Sequence, residues 1–215
     1  MNDVKKQPIA RIAIAYDQHQ RILNLASWDQ LKLRWPWWET ACRIGWATGF
    51  RISDVAFLAW SQIDLQDKLI TLLPRQTGRS QRIVVIPMGR ELQAYLLNLK
   101  NQPLRDWHRQ HQFVSPELQG FYSSPARTEI HKQFRWICKR VGIGNQITFY
   151  SYRHAFFERL ANANVPLPVI SALTGASLMT ILSYVRVTMA VSREEMERAQ
   201  LMIEHKFVPT PPPLA

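Results

Sequence analysis

Ile63-Asp64-Leu65-Gln66-Asp67-Lys68-Leu69-Ile70-Thr71-Leu72-Leu73 is where the chain changes its period. Leu69 to Leu73 is a short run of strand formers. Thr77-Gly78 is a turn signal, and Arg82-Ile83-Val84-Val85-Ile86 is a second run that Pro87 ends. Two such runs around a turn predict an antiparallel hairpin. Nothing else in the chain reads this way. Upstream, Ser27 reads as a helix N-cap, and Leu31 to Thr48 carries apolar residues at helical spacing, with Pro36 marking a kink or a start. Ser53 reads as the N-cap of a further helix through Val55-Ala56-Phe57-Leu58. Downstream, helical spacing recurs over about 90–99, 126–141, 151–163, 166–174, 178–185 and 192–206. Ser192-Arg193-Glu194-Glu195 is a capping box for the last of these. The expected fold is therefore mainly α with a small antiparallel β-sheet.

The composition sets outer bounds. Of 215 residues, 47% are hydrophobic and 20% charged, which suits one globular domain rather than a disordered chain. No apolar run approaches the ~18 residues of a membrane span, and Met1-Asn-Asp-Val-Lys-Lys6 leads into no signal-peptide core. A cytoplasmic protein without membrane partners is expected. Cys42 and Cys138 are read as reduced core thiols, and six scattered histidines suggest no metal site. Lys plus Arg number 27 against 16 acids, a formal charge of +11. A surplus of this size attracts polyanions, nucleic acid before an anionic membrane surface. Residues 1–24 read as a lead-in, 25–206 as the working domain, and the proline-rich 207–215 as an extended tail.

Four segments carry the candidate chemistry. Thr48-Gly49-Phe50-Arg51-Ile52-Ser53-Asp54 sets an arginine before a helix, with an acid three residues on to hold it. The hairpin tip contributes Arg75, Gln76, Thr77, Gly78, Arg79 and Arg82. Tyr150-Ser151-Tyr152-Arg153-His154 puts Tyr150 and Arg153 three apart, on one face of a helix. Leu173-Thr174-Gly175-Ala176 precedes Tyr184 by a short helix.

In this order and spacing the segments resemble the catalytic domain of the tyrosine recombinases, the phage integrase family. That family's pattern reads TGLRISE, a hairpin with KTG, HxLRH, LGH, and then a tyrosine. The resemblance covers about residues 25–206, and in length the chain looks like the short fimbrial-switch recombinases. It implies DNA cleavage through a covalent 3′-phosphotyrosyl link, with no metal or cofactor. Arg51 and Arg153 would clamp the charge that gathers on the phosphate, since guanidinium forks bind oxyanions bidentately. Tyr184 would be the nucleophile and Tyr150 would stand at the family's first histidine. Arg75, Arg79, Arg82, Lys132, Arg135 and Lys139 would contact the DNA backbone. Self-association on DNA as dimers and tetramers would run through the apolar stripe of helix 192–206.

The chain departs from the pattern at two further positions. The hairpin lysine that serves as a proton donor falls at Gln76, whose amide cannot act as an acid. The His or Trp after Leu-Gly falls at Ala176. These departures motivate a second reading, a catalytically silent DNA-binding protein on the same scaffold. Strand relaxation without a second DNA site, resembling type IB topoisomerases, is a third. Each residue also has an ordinary explanation: Arg51 as a surface partner of Asp54, Tyr184 as a packing residue, Lys132 to Arg140 as a solvated basic face.

Overall fold

Helix Ile130–Arg140 shows how the sequence builds this fold. Ile130, Gln133, Phe134, Ile137 and Cys138 recur at helical spacing and are buried, while His131, Lys132, Arg135, Trp136, Lys139 and Arg140 face outward. Phe134 packs on the rings of Trp38 and Phe149 at centroid separations of 5.2 and 5.8 Å. Truncating such a ring to alanine costs about 3–5 kcal/mol.

The computed structural model describes residues 12–75, 82–102, 112–182 and Glu197. By internal contacts the chain divides into Met1–Tyr184 and Val185–Ala215, and all the elements described below belong to the first unit. In chain order they are α1 (Tyr16–Ala26), α2 (Asp29–Arg34), α3 (Trp38–Thr48), α4 (Ile52–Ala56), β1 (Ile63–Asp64), β2 (Leu69–Leu72), β3 (Val84–Pro87), α5 (Arg90–Asn101), α6 (Pro116–Ser123), α7 (Ile130–Arg140), α8 (Ser151–Asn162), α9 (Leu167–Thr174) and α10 (Leu178–Leu182). Short 3-10 turns occupy Trp60–Gln62 and Pro125–Glu129. The fold is mainly helical with one small antiparallel sheet. No described helix is long and apolar enough to cross a membrane.

Helix α3 is the central element. Trp38, Ala41, Cys42 and Ile44 are fully buried, and the helix packs on α1 and α8. The segment leading into α8 also comes close: a Cβ on Gly45 would stand 2.8 Å from the Phe149 ring. Cys42 and Cys138 are free and buried, and desolvation pushes each thiol up to about 12.

The sheet runs β1-β2-β3. Ile70 lies opposite Ile86 and Leu72 opposite Val84, and these four are buried while Thr71 and Val85 face out. This is the alternation that fixes register. The expected antiparallel pair is present, but its second strand begins at Val84 rather than Arg82 and includes Pro87 as its last residue. The sequence reading missed β1, whose two residues are too few to show a period.

Two expected caps are elsewhere. Ser27 closes α1 rather than opening a helix: its N–H reaches the Leu23 carbonyl and its hydroxyl donates to the Asn24 carbonyl. The extended residue before α2 is Trp28. Ser53 lies inside α4, because Arg51 takes the extended N-cap conformation and the helix begins at Ile52. Pro36 separates α2 from α3. Helix α6 was also missed, and the expected 126–141 helix is a 3-10 turn followed by α7. The tip residues 76–81, the helix expected at 192–206 save Glu197, and the tail 207–215 lie outside the described residues.

Candidate active site

Two corners of the chain are built alike. Thr48 ends α3 and Thr174 ends α9, each followed by a glycine in the left-handed region, Gly49 at φ 66° and Gly175 at φ 64°. Each threonine hydroxyl donates 2.7 Å back to a carbonyl one turn earlier, Ile44 or Ile170. Each also accepts the N–H two residues on, from Phe50 at 3.2 Å and Ala176 at 3.3 Å. The threonine ties the N–H beyond the turn back to the last turn of the helix, and the glycine turns the chain sharply. At Gly49 the turn is also tight against α8, where a Cβ would lie 2.8 Å from the Phe156 ring.

Arg153 ties the two corners together. Its side chain is buried at 2% exposure on α8. Nη1 donates to the Gly49 carbonyl at 3.0 Å and Nη2 to the Thr174 carbonyl at 3.4 Å, with the guanidinium 4.9 Å from the Phe157 ring centroid. Three of the four segments singled out in the sequence, far apart along the chain, therefore meet at one guanidinium.

Arg51 follows the first corner by two residues. Its guanidinium faces the buried carboxylate of Asp54 at 4.0 Å. Nη1 is buried and has no hydrogen-bond acceptor among the described residues. Asp54 uses its other oxygen to accept the backbone N–H of Arg75 at 2.9 Å. The Arg75 guanidinium lies 3.8 Å over the Phe57 ring. The base of the hairpin tip is thereby pinned beside Arg51. The acid was anticipated as a partner for Arg51, whereas its hold on the hairpin was not.

The chain matches the phage integrase family over residues 13–190. It belongs to that family. Curated relatives include the tyrosine recombinase XerD of Shewanella oneidensis, 29% identical over 154 residues, covering 69% of this chain and 49% of that protein. XerA of Pyrococcus furiosus is 27% identical over 161 residues, 73% of this chain and 52% of that protein. The chain thus spans about half the length of these relatives. Among solved structures, a Tn1549 transposon integrase in complex with a circular intermediate DNA aligns with a TM-score of 0.68 at 19% identity, covering 92% of this chain and 68% of that one. A XerA recombinase crystal structure aligns at 0.62 and 19%, covering 87% and 65%. A lambda integrase dimer bound to a core site aligns at 0.56 and 16%, covering 83% and 60%. These likenesses identify the fold as that of the tyrosine recombinase catalytic domain.

The remaining positions of the family pattern are distributed as follows. Tyr150 is the N-cap of α8 and 37% exposed, whereas Arg153, in the first turn, points into the core. Sharing a face was expected of them, but Tyr150 precedes the helix proper. Its ring meets the buried His154 edge-on at 5.2 Å. Ala176 is buried, and its carbonyl accepts the Ser171 hydroxyl at 2.7 Å, so only backbone bonds act there. Arg82, Arg75, Lys132, Arg135 and Lys139 are exposed, Lys132 within 2.7 Å of Glu129. Tyr184, Arg79 and Gln76 lie outside the described residues. Among the described residues no group of three His, Cys, Asp or Glu side chains is placed to hold a metal ion.

Thr48 and Thr174 fall within two of the sequence segments but had no role of their own there, and Phe57 figured only as part of a helix. The signal for the first two was the repeated Thr-Gly at the end of an apolar helical run, which Thr174-Gly175 shares with Thr48-Gly49.

Proposed function

We propose that this chain exchanges DNA strands at a specific site through a phosphotyrosine intermediate. The observation that carries the reading is Arg51 Nη1, a buried donor with no acceptor among the described residues, beside the guanidinium that joins the two Thr-Gly corners. Nη1 lies 4.0 Å from the Asp54 carboxylate, beyond hydrogen-bond reach. A buried donor without a hydrogen bond costs about 1–3 kcal/mol, and a non-bridging phosphate oxygen is the acceptor that would satisfy it.

The Tyr184 hydroxyl attacks the scissile phosphorus. A new phosphorus–oxygen bond forms to the phenol, the bond to the 5′-oxygen breaks, and the phenolic proton is lost as the 5′-hydroxyl gains one. Charge rises on the non-bridging oxygens during this step, and Arg51 and Arg153 hold it without changing protonation. The phosphotyrosyl ester conserves the energy of the phosphodiester. A second 5′-hydroxyl can therefore reverse the step and join a new strand without a nucleotide cofactor.

Double-stranded DNA is the proposed partner. Arg75, Arg79, Arg82, Lys132, Arg135 and Lys139 would meet its backbone, and copies of the chain would associate on it through helix 192–206. Residues 25–206 would form the working domain, after a lead-in at 1–24 and before a tail at 207–215, acting on nucleoid DNA in the cytoplasm. Support comes from the family membership and from solved relatives described as bound to DNA.

Ala176 and Gln76 favour a second reading, DNA binding without cleavage. A nicked suicide duplex separates the two. Strand exchange predicts a covalent protein–DNA adduct on a denaturing gel that Tyr184→Phe abolishes. Salt-sensitive binding without any adduct would establish the silent protein instead.

A further inference from the structure

A cavity of about 220 Å³ opens between the middle of α1, the last turns of α3, the start of α5 and the end of α8. Arg159 and Trp46 form one wall. The guanidinium carbon lies over the indole, 3.6 Å from the ring centroid, and Nη2 donates to the Trp46 backbone carbonyl. Nη1 is buried and has no hydrogen-bond acceptor among the described residues. No described carboxylate lies within ion-pair distance of Arg159.

The other charges around the cavity cancel. Arg43 is held by Glu39 at 3.2 Å and by Glu91 at 3.1 Å, and Lys32 also holds Glu39 at 3.4 Å, so two cations face two carboxylates. His19 stacks on Trp46 at 4.5 Å and contacts the Tyr152 hydroxyl at 3.2 Å. Burial, with the charges of Arg159 and Arg43, holds its pKa near 3, so it is neutral at pH 7. Burial lowers Arg159 to about 10, which leaves it charged. The cavity wall therefore carries one positive charge with no carboxylate partner among the described residues, on a planar fork whose buried Nη1 has no acceptor there.

We propose that this cavity binds a small organic carboxylate, its two oxygens on the Arg159 guanidinium and its apolar body against Trp46 and Leu92. A carboxylate matches the fork in shape and supplies the single negative charge that is missing. A doubly charged phosphate would bring a surplus charge near Glu91. At roughly 30 Å³ per water the space equals about seven waters, the room of a small aromatic or aliphatic acid. The site does not depend on the proposed strand exchange. Arg159 and Arg153 are six residues apart on α8, about 9 Å along its axis.

Benzoate is the probe, titrated into the full chain and followed by saturation-transfer NMR, with inorganic phosphate and chloride as comparison anions. Saturable benzoate binding in the millimolar range or tighter is expected, weakened about ten-fold or more in Arg159→Gln. Circular dichroism and thermal melting establish that the variant folds. Gly89→Val provides a second variant: Gly89 lines the cavity, its φ of −69° suits any residue, and an added Cβ meets nothing within 4 Å. It narrows the cavity while leaving Arg159 in place, and weaker benzoate binding is expected. Unchanged affinity in the folded variants overturns the proposal. So does phosphate or chloride binding as tightly as benzoate, or no saturable binding at all.

Discussion

Arg153 donates 3.0 Å to the Gly49 carbonyl across 104 residues of sequence. The same guanidinium reaches Thr174 at the end of α9. A side chain at 2% exposure thus fixes the corner from which Arg51 projects. Arg153 thereby holds the backbone two residues before Arg51, whose buried Nη1 has no hydrogen-bond acceptor among the described residues.

Gly49→Ala tests the tightness of that corner. Alanine at φ 66° is strained, and its Cβ would stand 2.8 Å from Phe156. A loss of about 2 kcal/mol in urea unfolding is expected. Gly120→Ala is the contrast, since Gly120 lies inside α6 with nothing within 4 Å of an added Cβ. It should be neutral or stabilise by about 0.5–1 kcal/mol.

His19 makes stability depend on pH in one direction. Its pKa falls from 6.5 to about 3 in the folded state, first through desolvation and then through Arg159 and Arg43. Between these values the unfolded chain binds a proton that the folded chain refuses, so stability falls as pH drops. Above pH 7 the group has no effect. Stability curves of the wild type and His19→Gln should run parallel above pH 7. Toward pH 4 they should converge, with the wild type losing stability faster.

The exposed basic face of α7 should contact phosphate. Arg135→Gln and Lys139→Gln would each reduce the salt dependence of DNA binding by roughly one unit of log–log slope, with little sequence dependence. Both residues are exposed, so unfolding midpoints should not move. An unchanged slope in both variants would leave α7 off the DNA.

Cys42 and Cys138 should be inert in the native chain. Burial raises both thiols to about 12, leaving almost no thiolate at pH 8. A thiol reagent should react slowly under native conditions and with both cysteines in denaturant.

The sequence revealed what periodicity can carry. Ile70, Leu72, Val84 and Ile86 announce a hairpin by alternation, and the Ile130 to Cys138 spacing announces a helix. Ser27 and Ser53 misled because a serine suits either end of a helix or its interior, and tertiary context chose: Trp28 and Arg51 take the extended conformations. The candidate site was legible as four motifs in order. Their meeting point was not, because Arg153 reads as polar while the fold buries it between two carbonyls. The turn geometry of Thr48-Gly49 and Thr174-Gly175 also depends on φ, which spacing does not report.

In the proposed strand exchange, Tyr184 takes the DNA strand. The most direct measurement is to trap an adduct on a nicked suicide duplex, digest the protein with trypsin, and identify the nucleotide-bearing peptide by mass spectrometry. A 3′-phosphate linked to Tyr184 is expected, and no adduct when Arg51 is changed to Gln. A link to any other residue, or intact DNA binding with no link at all, would contradict it.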